Sequence, residues 1–231
     1  MRKTIKRTLL ALPGGARLLE GYRQVSGRLR GNTSAHRGYV GGMWDEIGQA
    51  QIDFMVNRGL KPHHVFIDVA CGSLRAGRHF IGYLDPANYL GLDHHQWLID
   101  AGLKHEVPGA VRIEKRPEFV ISEGFEFQKF SKRPDFGIAQ SLFSHLTKDD
   151  IRLCLTNFRA VIQPQGRFFA TFVPKGFLPS DYENPDESAD DLAFQYDADE
   201  LLEIGTLTGW QANYVGDWGH PRGQEMLEFC V

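Results

Sequence analysis

His64-Val65-Phe66-Ile67-Asp68-Val69-Ala70-Cys71-Gly72-Ser73-Leu74-Arg75-Ala76-Gly77 carries an apolar run that ends around a carboxylate and passes directly into a glycine-containing turn. Val65 to Ala70 reads as a strand buried on both faces, as in a parallel sheet covered by helices. Gly72 and Gly77 permit backbone conformations and close approaches that larger residues resist. A second apolar strand, Tyr89-Leu90-Gly91-Leu92, ends at Asp93. An acid at the tip of the second strand, about 20 residues beyond the turn, is placed to accept hydrogen bonds from ribose hydroxyls. Together the two strand ends indicate an adenosine-type ligand on an α/β sheet.

The frame Ala70-x-Gly72-x-Leu74-x-x-Gly77 differs from the G-x-G-x-x-G of dinucleotide sites, where the backbone lies against a pyrophosphate. Asp68 beside that turn repels a pyrophosphate and attracts a ligand bearing a sulfonium and an amine. On these residues the turn resembles motif I, D-x-G-x-G-x-G, of the class I S-adenosylmethionine-dependent methyltransferases, with Ala70 at the first glycine and Leu74 at the third. A leucine there means that the third position does not rely on a glycine-only conformation. Asp135-Phe136-Gly137-Ile138-Ala139-Gln140-Ser141-Leu142-Phe143-Ser144-His145-Leu146 resembles the fourth strand of that family and its following turn. Gln163-Pro164-Gln165-Gly166 resembles its Pro-Gly-Gly turn, with Gln165 at the first glycine, and leads into a fifth strand ending near Phe172. Asp197 to Gly209 reads as a helix, and Gln211 to Val215 with Gln224 to Cys230 as a closing pair around Gly219-His220-Pro221-Arg222-Gly223.

The resemblance covers about residues 40 to 231, and Cys71-Gly72-Ser73-Leu74-Arg75 with Gln140-Ser141-x-Phe143-Ser144-His145-Leu146 look like a bacterial-type, small-substrate subgroup. It implies a three-layer, Rossmann-like, seven-stranded sheet, mostly parallel with an antiparallel closing strand. It also implies S-adenosyl-L-methionine as methyl donor and a small-molecule or glycan-like acceptor, methylated at oxygen rather than elsewhere. Two other functions stand beside it: a non-catalytic nucleoside-binding module, and a nicotinamide-dependent oxidoreductase, which Asp68, Ala70 and Leu74 argue against.

Methyl transfer from a sulfonium is an in-line displacement, so the protein supplies alignment, exclusion of water and, for some acceptors, a base. The resemblance places Asp68 opposite the positive amino-acid part of the donor, or else as a turn cap. Ala70, Gly72 and Ser73 supply backbone and hydroxyl groups beside the methionine portion. Arg75 is either a clamp on its carboxylate or an exposed arginine, and Asp93 takes the ribose. Glu126 after the third strand approaches the adenine edge, with Glu123 as an equal contender and solvation of both as the alternative. Gln140 and Ser141 line the pocket. His145 is the candidate catalytic base, since a histidine titrates near neutrality; the alternative is a structural turn cap. Trp44, in the glycine-rich stretch Tyr39 to Gly48, walls the substrate pocket or packs on the sheet, and His220 sits at the pocket rim or is structural. A helix from Gln49 to Asn57 turns Ile52, Met55 and Val56 to the sheet. The histidine pairs 63/64 and 94/95 are read without a metal, because sequence neighbours on strand-end loops diverge and no third ligand is evident.

At 231 residues the chain is long enough for one well-filled core. Cys71, Cys154 and Cys230 lack paired spacing, which argues against a disulfide framework or a cysteine zinc site and for a reducing, cytoplasmic location. No apolar run approaches the roughly 18 residues that span a bilayer. The net charge of −3 hides an uneven distribution: residues 1–37 carry nine Lys or Arg against Glu20 alone, leaving a net −11 on residues 38–231. Residues 1–37 therefore read as a basic arm on a single acidic domain, 38–231. Within the arm Leu18, Tyr22, Val25 and Leu29 form an apolar stripe flanked by arginines, and Ile5, Leu9 and Leu12 repeat it. Such a helix lies on an anionic membrane surface, packs on the domain or stays mobile. Asp181 to Asp191 holds six acids and no base. As a lid over the strand tips it disfavours nucleic acid, whose phosphates need basic partners; its alternative is a solvated loop. Oligomeric state has no signal in the sequence.

Overall fold

The computed structural model describes residues 35–178, 183–190 and 192–231. The arm helices expected within residues 1–34, and Asp181 and Asp191 of the acidic segment, lie outside the described residues. A short helix, Ala35–Tyr39 (α1), precedes Gly42, and Met43–Val231 forms one compact unit.

That unit contains the strands β1 (Phe66–Val69), β2 (Tyr89–Asp93), β3 (Glu118–Ile121), β4 (Phe136–Ala139), β5 (Arg167–Phe172), β6 (Gln211–Asp217) and β7 (Glu225–Cys230). They form one seven-stranded sheet in the order β3-β2-β1-β4-β5-β7-β6. β1 to β5 are parallel, and β7 runs antiparallel to both β5 and β6. This is the expected architecture, closing strand included. Its helices are α2 (Trp44–Asn57), α3 (Gly77–Tyr83), α4 (Gln96–His105), α5 (Gly109–Lys115), α6 (Lys148–Val161) and α7 (Ala198–Leu207).

Alternation along β1 fills both faces of the sheet. Ile67 and Val69 join one apolar cluster with Phe143, Phe158, Phe168 and Phe229, while Phe66 joins the other with Met55, Phe80 and Tyr89. Helix α6 shows why the connections are helical. Thr147 caps it by accepting from Asp150 N, Asp149 and Asp150 sit in its first turn, and Ile151, Cys154, Leu155 and Phe158 bury one stripe. Helix α7 starts on a capping box between Asp197 and Glu200.

Helix α2 begins at Trp44 rather than at Gln49. Ile52 and Met55 are buried as expected, but Val56 is 38 % exposed, because it follows Met55 around the helix and turns outward. No helix among the described residues is long and apolar enough to cross a membrane.

Two glycines let helices approach the turn after β1. A Cβ on Gly48 of α2 would lie 2.6 Å from the Arg75 carbonyl oxygen, and one on Gly102 of α4 would lie 2.6 Å from that of Ser73 and 2.8 Å from Leu74 Cγ. Helix propensity alone makes Gly→Ala favourable by about 1 kcal/mol, whereas overpacking costs about 1–3 kcal/mol. The clash wins at Gly102, so Gly102→Ala lowers the thermal midpoint. Gly82→Ala in α3, where a Cβ meets nothing within 4 Å, raises it; thermal melts of the two variants check the contrast.

Candidate functional site at the ends of strands β1, β2 and β4

The sheet changes winding direction between β1 and β4, and ligands of open α/β sheets bind outside the strand ends at that switch point. The turn after β1 is held there by β2. Cys71 N donates to Leu92 O at 3.0 Å, and Gly72 N donates to Asp93 Oδ2 at 2.8 Å. The other carboxylate oxygen, Oδ1, accepts from His95 N at 2.8 Å. Asp93, 6 % exposed, thus ties the first turn to the start of α4.

Ala70, Gly72 and Leu74 all adopt positive φ, at 60°, 55° and 65°. This corrects the expectation for Leu74: the glycine-type conformation is kept without glycine. Leu74 is fully buried, and packing holds both non-glycines in a region that costs about 1–3 kcal/mol.

Asp68 is 4 % exposed and accepts from Tyr89 Oη at 3.0 Å. Burial pushes its pKa up to about 7; the Tyr89 hydrogen bond opposes this, Asp93 adds to it and Arg75 opposes it. A carboxyl so poised ionises readily when a cation arrives beside it.

Arg75 is 8 % exposed, which removes the exposed alternative, and its Nη2 donates to Gln140 Oε1. Gln140 opens a polar web across the ends of β4, β5 and β7. Its Nε2 lies 3.3 Å from both Gln224 Oε1 and His220 Nε2. Gln224 Oε1 also accepts from Ser141 Oγ at 3.0 Å and Thr171 Oγ1 at 2.8 Å, and Ser141, at φ 59°, donates its N–H to Thr171 Oγ1. Burial, with Arg75 and Arg222 nearby, lowers the pKa of His220 to about 4. His220 is therefore a neutral hydrogen-bonding group near neutrality and too weak a base for proton abstraction there.

No protein-family model matches the sequence, and no curated protein matches it. Solved structures do match in three dimensions. A glycopeptide N-methyltransferase, MtfA, complexed with S-adenosylhomocysteine is 16 % identical over 81 % of this chain and 90 % of that one, with a TM-score of 0.61. A DhpI complex with S-adenosylhomocysteine is 16 % identical over 92 % and 94 %, with a TM-score of 0.60. Magnesium protoporphyrin IX methyltransferase, ChlM, from Synechocystis PCC 6803 with bound S-adenosylmethionine is 12 % identical over 80 % and 78 %, with a TM-score of 0.57.

The chain has the class I methyltransferase fold.

On that fold Asp68, Ala70, Gly72, Ser73, Arg75 and Asp93 gather around the first turn, while Gln140, Ser141 and His220 gather at the end of β4. Glu126 stands apart on the loop after β3. It is half-exposed, and its Oε2 accepts from Lys129 Nζ at 2.6 Å and Ser122 Oγ at 3.2 Å, contacts that hold its carboxyl below the ordinary range. Trp44 is 6 % exposed at the start of α2, with the Arg78 guanidinium 5.6 Å from its ring centroid. His145 closes a 3₁₀ turn, Phe143–His145, and its Nδ1 donates to Leu192 O at 2.7 Å, which leaves Nε2 as the accepting nitrogen of the neutral ring.

The acidic segment after β5 is anchored over these strand ends. Asn184 Nδ2 donates to Gln195 O and Asn184 Oδ1 accepts from Gln195 N, Ser188 Oγ accepts from Thr147 N at 2.8 Å, and Ala189 N donates to His145 O at 3.2 Å. Asp190 then reaches the end of β2, 3.5 Å from His94 Nε2 and 3.4 Å from His95 Nε2. The rings of His94 and His95 do not diverge: their centroids are 3.9 Å apart. Sequence reading missed Thr171, Gln224 and Tyr89, and placed Asp190 only as one acid of the candidate lid. Of the three missed residues only Tyr89 had a signal, as a polar tip on an apolar strand.

Asp68 and His220 pull stability in opposite directions with pH. For Asp68 the folded pKa lies above the ordinary 3.8, so its contribution is full below that value and is lost as pH rises through about 7. For His220 the folded pKa lies below the ordinary 6.5, so its contribution is full above that value and is lost as pH falls towards about 4. Asp68→Asn keeps an acceptor for Tyr89 without an ionisable group. In nucleoside-free protein its thermal midpoint matches that of the parent near pH 4 and exceeds it increasingly up to pH 8; a melting series across that range reads the difference.

Proposed function

We propose that this chain transfers the methyl group of S-adenosylmethionine to a small-molecule or glycan-like acceptor, at oxygen. The observation that carries the proposal is the pair of buried carboxylates, Asp68 and Asp93, on adjacent parallel strand ends around a turn of alternating left-handed residues. S-adenosylmethionine supplies a methyl group already activated on a sulfonium.

The chain's own residues do the rest. Asp68, neutral or ionised near pH 7, becomes fully ionised beside the donor's ammonium and holds it. Ser73 and Arg75 stand on the same turn for the donor's carboxylate. Asp93 has both oxygens engaged by backbone N–H groups, and the remaining acceptor capacity of an ionised carboxylate serves the ribose hydroxyls. Glu126 takes the adenine edge. Gln140 and Ser141 line the floor, Trp44 and His220 the acceptor rim, and His145 Nε2 accepts the acceptor's proton. The anchored segment around Asn184 to Asp190 excludes water, and its acids disfavour a nucleic-acid acceptor. A pyrophosphate beside the buried Asp68 is repelled, which sets the nicotinamide reading aside.

Calorimetric titration with S-adenosylmethionine, S-adenosylhomocysteine and NADH tests the donor assignment. Micromolar binding of both sulfur nucleosides, loss of at least tenfold in Asp93→Ala and none in His145→Gln is the expected result. Binding of NADH alone overturns it. The arm forms a second part of the proposal: a cytoplasmic protein held at an anionic membrane by residues 1–37. Removing residues 1–34 is expected to abolish co-sedimentation with anionic liposomes, and an unchanged bound fraction sinks the membrane assignment.

A further inference from the structure

We propose that His94, His95 and Asp190 form a binding site for a divalent transition-metal cation of the zinc type, with Asp93 behind the His95 ring. The site joins the end of β2 to the acidic segment that follows β5.

The distances between the imidazoles and the carboxylate fit ligands around one cation. Asp190 Oδ1 lies 3.5 Å from His94 Nε2, and Asp190 Oδ2 lies 3.4 Å from His95 Nε2. A charge-assisted N–H to carboxylate hydrogen bond is about 2.7–2.9 Å long, so both contacts, which are ion pairs when the imidazoles are protonated, are longer than the best of that kind. Zinc–nitrogen and zinc–oxygen bonds of about 2.0–2.2 Å in a tetrahedron put neighbouring ligand atoms roughly 3.3–3.6 Å apart. The two Nε2 atoms therefore stand from the carboxylate oxygens at the spacing of ligands around one cation. One ligand atom from each of Asp93, His94 and His95 also falls within 4.8 Å of the others.

The supporting contacts match what a ligating histidine requires. Asp93 Oδ1 lies 3.6 Å from His95 Nδ1, the nitrogen facing away from Asp190. At that separation the carboxylate acts on the ring through its charge alone, while it holds the His95 backbone N–H at 2.8 Å; a carboxylate on that side commonly backs metal-bound histidines. Asp93 is in turn fixed by the N–H groups of Gly72 and His95. His95 is 7 % exposed, whereas the side chains of His94 and Asp190 are 42 % and 36 % exposed, so the cluster has a rigid inner wall and a side open to solvent. Two imidazoles and a carboxylate suit zinc, cobalt or nickel better than calcium or magnesium, which prefer oxygen ligands throughout.

A cation here bridges two segments far apart in sequence. It clips the Asn184 to Asp190 segment over the crevice between β1, β2 and β4, and its affinity depends on no nucleoside. The experiment takes the full-length chain, strips it with a chelator, and titrates it with Zn2+ calorimetrically and with Co2+ by visible absorption, without nucleoside. The expected result is one equivalent of metal, a d–d band of tetrahedral or five-coordinate Co2+, and an affinity at least tenfold weaker in both His94→Ala and Asp190→Ala. Both substitutions lie at exposed side chains, and circular dichroism checks that the variants remain folded. His63→Ala and His64→Ala, at the other histidine pair, are expected to bind as the parent does. Absence of stoichiometric binding, unchanged affinity in either His94→Ala or Asp190→Ala, or loss in the His63 and His64 variants instead, overturns the proposal and leaves Asp190 as an ion-pair partner only. Since the titration contains no nucleoside, its failure is distinct from failure of the methyl-donor assignment.

Discussion

The Asp93 carboxylate, accepting from the Gly72 and His95 N–H groups, is the constraint on which the site rests. It stitches the turns after two parallel strands into one rigid edge. Parallel strands expose their terminal N–H groups at such turns, and a buried carboxylate satisfies two of them with charge-assisted bonds, which are roughly twice as strong as neutral ones. Asp93 can therefore stay buried and still offer acceptor capacity to a ligand. Without that tie nothing on β2 would hold the Gly72 N–H in place.

The turn itself shows how a backbone conformation survives the loss of its usual residue. Ala70 and Leu74 hold positive φ on either side of Gly72. What compels them is packing from outside. Gly48 and Gly102 bring two helices so close to the Arg75 and Ser73 carbonyls that the turn has no room to relax. The strain is local, and the surrounding helices offset it; glycine has moved from the turn to the elements that press on it.

Around that edge the titratable groups are sorted by burial. Asp68 is raised to about 7 and His220 lowered to about 4, chiefly because both charges are removed from water. A buried acid that readily becomes an anion suits a cationic ligand, while a histidine kept neutral between two arginines contributes hydrogen bonds. The acidic segment completes the arrangement: its hydrogen bonds to Thr147, His145 and Gln195 carry Asp190 across the strand ends to the His94–His95 pair. The same Asp93 that anchors the first turn thus backs a second cluster on its far side.

The sequence by itself determined the order of strands and turns and, through the family resemblance these carry, the sheet and its closing strand, because apolar runs buried on both faces, glycine turns and capped amphipathic helices are local signals that tertiary packing here reinforces. It also determined Asp68 and Asp93 as paired strand-end acids, since a carboxylate at the end of an apolar run has few other uses. The Leu74 conformation, the burial of Arg75 and the outward turn of Val56 were decided only by tertiary structure. Each depends on the tertiary surroundings: Gly102 against the turn, Gln140 against the guanidinium, and for Val56 a place on α2 turned away from the sheet. The convergence of His94 and His95 on Asp190 is of the same kind. No spacing in the sequence connects residues 94 and 190; only a segment carried back across the sheet brings that carboxylate to the imidazoles.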